Sequence, residues 1–143
     1  MIEVKTLVSV RPMRKDEENF ILNSWLRSLR AHSNYFTNIP SSIYFEAHGD
    51  SIRMNLSHSK VLVATPRDDD DIIIGYIVYE DRTPKYSIVH YVYVKGHFRK
   101  MGLAKVLYAL ATDSKPVFVT HITNKIQMRD MKFNPYFFKM ERL

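Results

Sequence analysis

The sequence predicts an α+β fold on one central sheet, with elements in the order β-α-α-β-β-β-α-β-α-β. Three observations lead there. Short stretches rich in Val, Ile and Tyr alternate in period two, as half-buried strands do. Longer segments repeat apolar residues at helical spacing, and clusters of Pro, Asp and Ser separate the two kinds. The chain has 143 residues, 45% of them apolar and 25% charged. That suits one globular domain over residues 1–143, long enough to bury a substantial core.

Ile2 to Val10 alternates and reads as the first strand, ended by Arg11-Pro12. Asp16 to Ala31 follows as an amphipathic helix. It carries Phe20, Ile21, Trp25 and Leu29 near one face and Asp16, Glu17 and Glu18 in the first turn, where the helix dipole favours them. Asn34 to Pro40 reads as a loop. Ser41 or Ser42 is placed to cap a second helix from Ile43 towards His58, with Gly49 interrupting its middle. Val61 to Thr65 and Ile72 to Glu80 form a hairpin around the acidic turn Pro66-Arg67-Asp68-Asp69-Asp70-Asp71. Asp81 to Lys85 turns into the strand Tyr86 to Val94. A helix runs from Lys100 to Thr112, and Ser114-Lys115-Pro116 breaks it. Val117 to Ile122 is a strand and Asn124 to Met131 a short helix. Phe133 to Met140 is a last strand or an extended tail, weakened as a strand by Pro135.

The most informative segment is Val92-Tyr93-Val94-Lys95-Gly96-His97-Phe98-Arg99-Lys100-Met101-Gly102-Leu103-Ala104, a strand that passes through a basic turn into a helix. Such a turn suits a pyrophosphate. Unpaired N–H groups and the positive end of the dipole favour an anion, Gly102 admits it close to the backbone, and Arg99 and Lys100 add charge. Arg99-Lys100-Met101-Gly102-Leu103-Ala104 resembles the Gln/Arg-x-x-Gly-x-Gly/Ala signature of the GNAT superfamily of acyl-CoA-dependent N-acetyltransferases. The motif matches over about Val89 to Leu110, and the order of elements matches over nearly the whole chain.

The resemblance implies a mixed, mostly antiparallel sheet of six to seven strands flanked by about four helices. It implies acetyl-CoA as cofactor, with its pyrophosphate on the amides of Arg99, Lys100, Met101, Gly102, Leu103 and Ala104. Val92, Tyr93 and Val94 would pair with the pantetheine arm like an added strand, and Asn124 corresponds to the Asn that the family's pattern places on the helix after the fifth strand. The chain looks similar to small stand-alone phage or bacterial members. The implied activity is transfer of an acetyl group to a primary amine of a small molecule or peptide, by a monomer or homodimer.

Acetyl transfer to an amine needs a neutral nucleophile, a stabilised oxyanion and a proton for the departing thiolate. His90 is the best candidate base, since its intrinsic pKa suits proton transfer at neutral pH. It lies four residues before Val94, hence on the face of Val92 and Val94, and in some family members that act on arylalkylamines a histidine at the matching position joins a proton relay. A half-buried histidine satisfied by a neighbour is the competing reading, of equal weight. Glu80 is a second candidate base. The Val94 N–H is the family-like oxyanion donor. The family's thiolate-protonating tyrosine falls at Met131, so the pattern breaks there. Tyr136 is the nearest substitute, although packing with Phe133, Phe137 and Phe138 is the simpler reading of its ring.

Composition excludes several alternatives. With no cysteine there is no disulfide, thiolate metal site or cysteine nucleophile. The six histidines show no zinc spacing and Asp68 to Asp71 lacks the alternation of a calcium loop, so no metal is expected. Met1 to Val10 lacks the apolar core of a signal peptide, and no apolar run has membrane-spanning length, so a cytoplasmic protein is expected. The net charge of +6 is uneven: residues 1–81 hold nine Lys/Arg against twelve Asp/Glu, and residues 82–143 hold twelve against three. The basic half contains the pyrophosphate turn. Its excess leaves two alternatives beside the enzyme, a catalytically inactive module acting through coenzyme A or protein contacts, and a nucleic-acid-associated protein. No aromatic-basic motif accompanies the charge, so a solvated basic face outweighs nucleic acid. For the acceptor site, Tyr35, Phe36, Tyr44 and Phe45 are candidate apolar lining, and Glu46 and Asp50 candidate charges.

Overall fold

Six strands line up in sequence order in one sheet of the computed structural model, which describes residues 7–82, 85–113, 115–121 and 131–138. They are β1 (Val8–Pro12), β2 (Lys60–Pro66), β3 (Gly75–Arg82), β4 (Tyr86–Val94), β5 (Val117–Val119) and β6 (Met131–Phe133). The first three ladders are antiparallel and the last two parallel. The expected mixed, mostly antiparallel sheet is therefore present. Pro12 is the last residue of β1, so Arg11-Pro12 ends the strand as expected, and an edge strand tolerates it because one side of its backbone needs no donor.

Among the described residues five α-helices accompany the sheet: α1 (Glu18–His32), α2 (Asn34–Thr37), α3 (Ser41–Ile43), α4 (Gly49–Leu56) and α5 (Leu103–Thr112). The loop expected from Asn34 contains α2, because the Thr37 N–H and hydroxyl both donate to the Ser33 carbonyl, at 3.0 and 2.8 Å. A π turn over Tyr44–His48 joins α3 to α4. Its extra residue per turn rotates the chain so that Tyr44 is buried and its hydroxyl donates to the Leu26 carbonyl. Tyr44 is thus core, not acceptor lining. Gly49 does not break the helix. The expected helix end at Met131 is also corrected, since Met131 pairs with Val117 in β6, and Pro135–Phe138 forms a 3₁₀ turn in place of a strand. Among the described residues, no helix is long and apolar enough to cross a membrane.

Each face of the sheet has its own core. On one face α1 and α4 bury Ile21, Trp25, Leu29 and Ile52 completely against Val63, Tyr76, Val78 and Tyr91. Trp25 stacks on Tyr91 with ring centroids 5.5 Å apart and planes 11° from parallel. On the other face α5 sets Leu103 and Leu107 on Ile74, Ile77 and Val89. Full burial of each such side chain contributes roughly 1.5–3 kcal/mol, so two buried faces stabilise a sheet with short outer strands. Gly75 is what brings α5 this close. A Cβ there would stand 2.9 Å from the Tyr93 carbonyl and 3.3 Å from Leu103.

A bulge and an early end to pairing distinguish β4 from the other strands. The ladder to β3 pairs Val78 with Tyr91 and Tyr79 with Val89, leaving His90 as the extra residue of a β-bulge. One added residue inverts the alternation. Val92 and Val94 accordingly face α5, whereas His90 and Tyr91 face α1, so the expectation that His90 shares a face with Val92 and Val94 is corrected. Pairing with β5 joins only Ser87, Ile88 and Val89 to Val117, Phe118 and Val119, with a last bond from the Thr120 N–H to the Val89 carbonyl at 3.2 Å. Past Val89, among the described residues, the β5-side edge of β4 has no partner strand.

Candidate functional site

The turn between β4 and α5 is held open by its backbone. Lys100 and Gly102 both adopt left-handed conformations, with φ of 67° and 82°, which is why α5 starts at Leu103 and not at Lys100. Left-handed residues in a turn are a backbone feature of anion-binding nests. The Phe98 and Arg99 amides are used inside the turn, donating to Lys95 and Gly96 carbonyls at 2.8 and 3.3 Å. No acceptor among the described residues takes the N–H groups of Lys100 to Lys105, and the first bond of the helix runs from the Val106 N–H to the Gly102 carbonyl. A Cβ at Gly102 would meet no atom within 4 Å, so the space before these donors is open.

These observations test the acyl-CoA expectation on the chain itself. A bundle of unpartnered donors at a ten-residue helix suits a pyrophosphate, and the free edge of Val92 to Val94 suits an amide-bearing arm. The donor set fits. Arg99 is placed differently from its neighbours: its Nε donates to the Val94 carbonyl at 2.9 Å, and its guanidinium reaches the α1 face.

There it meets an open groove of about 510 Å³ between α1 and the end of β4. Phe20, Arg27, Ser28 and His32 line one wall, and Tyr93 and Arg99 the other. The floor is polar and fixed, since the Tyr91 hydroxyl donates to Ser28 Oγ at 2.8 Å and Ser24 Oγ lies 2.8 Å from the Tyr76 hydroxyl. Burial pushes the Tyr91 phenol up to about 12, so it stays protonated at neutral pH.

Behind the groove, at the vertex where β4 and β5 part, lies a buried polar chain. His90 Nε2 is 2.6 Å from Glu80 Oε2 and 3.2 Å from Asn55 Nδ2, and its Nδ1 is 3.0 Å from Thr120 Oγ1. Thr120 Oγ1 is 2.9 Å from His121 Nδ1, and His121 Nε2 is 3.4 Å from Nε2 of the half-buried His48. Arg82 approaches Glu80 at 3.5 Å. Burial, and after it the proximity of His48 and His90, holds the His121 imidazole well below its ordinary pKa, so it is neutral. His48 stacks between Tyr44 and Phe138.

Of the residues singled out in the sequence, the structure brings His90 and Glu80 into direct contact and puts Val92 to Val94 and Arg99 to Ala104 along one continuous edge and turn. Tyr136 stands apart, 81% exposed, while Phe138 packs edge-on against His90 at 5.7 Å. Asn124 lies outside the described residues. The acidic cluster is not simply solvated: Asp70 and Asp71 pair with Arg14 at 2.8 and 2.7 Å. Sequence reasoning missed Thr120, His121, His48 and Asn55 as members of the polar chain that starts at His90. Only the consecutive Thr120-His121 beside a strand gave any signal.

The family model for the acetyltransferase (GNAT) family matches residues 23–115. No curated protein matches the sequence significantly. Among solved structures, a GNAT-family protein from Staphylococcus aureus is 21% identical, with a TM-score of 0.52 over 71% of this chain and 85% of that one. A protein of Clostridium difficile 630, described as a possible acetyltransferase, is 14% identical, with a TM-score of 0.51 over 90% and 79%. A GNAT-family acetyltransferase from Staphylococcus aureus Mu50 is 14% identical with a TM-score of 0.48, and this chain, 73% of it aligned, spans 62% of that protein's length. At these identities the likeness is one of fold.

Proposed function

The chain belongs to the GNAT acetyltransferase family, whose cofactor is acetyl-CoA, and from that premise we propose that it transfers an acetyl group to a primary amine. The observation that carries this reading is the row of unpartnered N–H groups from Lys100 to Lys105, around a left-handed Gly102 and beside the free edge of β4. Acetyl-CoA supplies an activated thioester carbonyl when bound. Lys100, Met101, Gly102, Leu103 and Ala104 would hold its pyrophosphate, and Val92, Tyr93 and Val94 its pantetheine arm. The Val94 N–H already belongs to the backbone bordering this opening and is the oxyanion donor of the proposal.

His90 is the proton acceptor in this scheme, at the vertex of the β4/β5 opening. With its Nε2–H donated to Glu80, His90 accepts at Nδ1 from the Thr120 hydroxyl, which is refilled from His121 Nδ1 and that ring in turn from the half-buried His48. The amine's proton therefore enters at the His48 end, and each hop breaks one N–H or O–H bond and forms the next. The Glu80 carboxylate stabilises the His90 imidazolium while it lasts. The exposed Tyr136 has no place in this chain of contacts.

Calorimetry with acetyl-CoA is the first test, comparing the native chain with Gly102→Glu, which sets a bulky anion where the pyrophosphate belongs. Micromolar binding that Gly102→Glu abolishes supports the reading. No binding at saturating cofactor overturns it. His90→Ala and Glu80→Gln then test the relay: a loss in kcat with a displaced acid limb of the pH profile supports it, and unchanged profiles refute it.

A further inference from the structure

The groove beside Tyr93 has a charge character that the cofactor does not explain. Its lining contains Arg27, Arg99 and His32 and no carboxylate. Four other arginines are matched to acids: Arg11 to Glu17, Arg14 to Asp70 and Asp71, Arg53 to Asp50 and Arg82 to Glu80. Among the described residues no carboxylate pairs with Arg27 or Arg99. The two stand on opposite walls, one on α1 and one just past β4, and the Val94 carbonyl anchors the second through its Nε. Ser28 and Asn23 add polar atoms between them.

The groove also lies on the same side of the sheet as His90. Tyr93 faces α1, as His90 does, whereas Val92 and Val94 face α5, where the helix N-terminus presents its donors. Tyr93 is three residues along β4 from His90, about 10 Å at the strand rise of roughly 3.3 Å per residue. An extended amine of about eight chain atoms spans that distance.

We infer that the acceptor is a small anionic amine, whose carboxylate or phosphate is held between Arg27 and Arg99 while its amino group lies towards His90. This rests on the acetyltransferase reading and adds the substrate class to it. Guanidinium groups suit planar carboxylate and phosphate oxygens, and a cationic polyamine or an aminoglycoside would be repelled by the same pair.

The test uses amines long enough to bridge the groove that differ only in charge: 6-aminohexanoate and 8-aminooctanoate against their amides, and 6-aminohexyl phosphate against 6-aminohexanol. A preference for the anionic member of about fivefold or more in kcat/KM, diminished by Arg27→Ala and partly restored by Arg27→Lys, supports the inference. The carboxylate and phosphate arms tell which anion is preferred. Equal or better turnover of the neutral amines or of a diamine, with Arg27→Ala inert on the anionic ones, overturns it. So does weakened acetyl-CoA binding in Arg27→Ala, which would give the groove to the cofactor. If no amine is acetylated, the transferase reading is what fails. A thermal-shift titration with N-acetyl-6-aminohexanoate and its amide then decides the groove, since stabilisation by the anion alone, lost in Arg27→Ala, supports anion binding and its absence refutes it.

Discussion

Acidification provides a direct probe of the buried histidine chain, because His121 is held neutral in the folded protein and is free to protonate in the unfolded one. The sign follows from proton linkage: below the unfolded pKa of about 6.5 the unfolded state binds a proton that the folded state refuses, so stability falls as pH falls. A folded site that never protonates removes RT ln(1 + 10^(6.5 − pH)), which sets an upper limit of about 2 kcal/mol between pH 7 and pH 5. Its surroundings explain why the proton is refused. His121 is 5% exposed, His48 Nε2 lies 3.4 Å away, and the rings of Trp25 and Phe138 meet it edge-on at 5.7 and 4.7 Å. The assay is urea unfolding at several pH values for the native chain and for His121→Phe, which keeps the aromatic contacts but does not titrate. At a urea m-value near 2 kcal/mol/M, the native midpoint falls by up to about 1 M more than that of the variant. Parallel pH dependences in the two proteins would refute the claim that His121 is buried neutral.

Three further outcomes concern the packing. Gly102→Ala loses about 1–2 kcal/mol of stability in urea unfolding, because alanine at φ 82° is strained although its Cβ meets nothing; a gain in stability would mean the turn is not left-handed. Gly75→Ala is destabilised by about 1–3 kcal/mol, since its Cβ at 2.9 Å from the Tyr93 carbonyl must push β4 or α5 away, and an unchanged melting temperature would count against the contact. Trp25→Ala is expected to lose about 3–5 kcal/mol and to disturb the near-ultraviolet signal of the Tyr91 and Phe138 contacts, which a silent spectrum would contradict.

The order of strands and main helices from β1 to β5, the hairpin, the amphipathic α1 and the strand-turn-helix at Val92 to Ala104 are local matters, and the sequence by itself determined them. Period-two and helical spacing write the elements directly, and Gly102 after two basic residues marks a turn whose donors face outward. The chemistry of His90 was decided only by tertiary structure. Its partners come from β3, α4 and the end of β5, and no periodicity links residues 10, 35 and 30 positions away. Parity along a strand predicted the wrong face for it, because a bulge depends on how β4 pairs with β3 and leaves no local composition signal. The pairing of Arg27 with Arg99 across a groove arises the same way, when α1 crosses a strand whose free end carries the second charge.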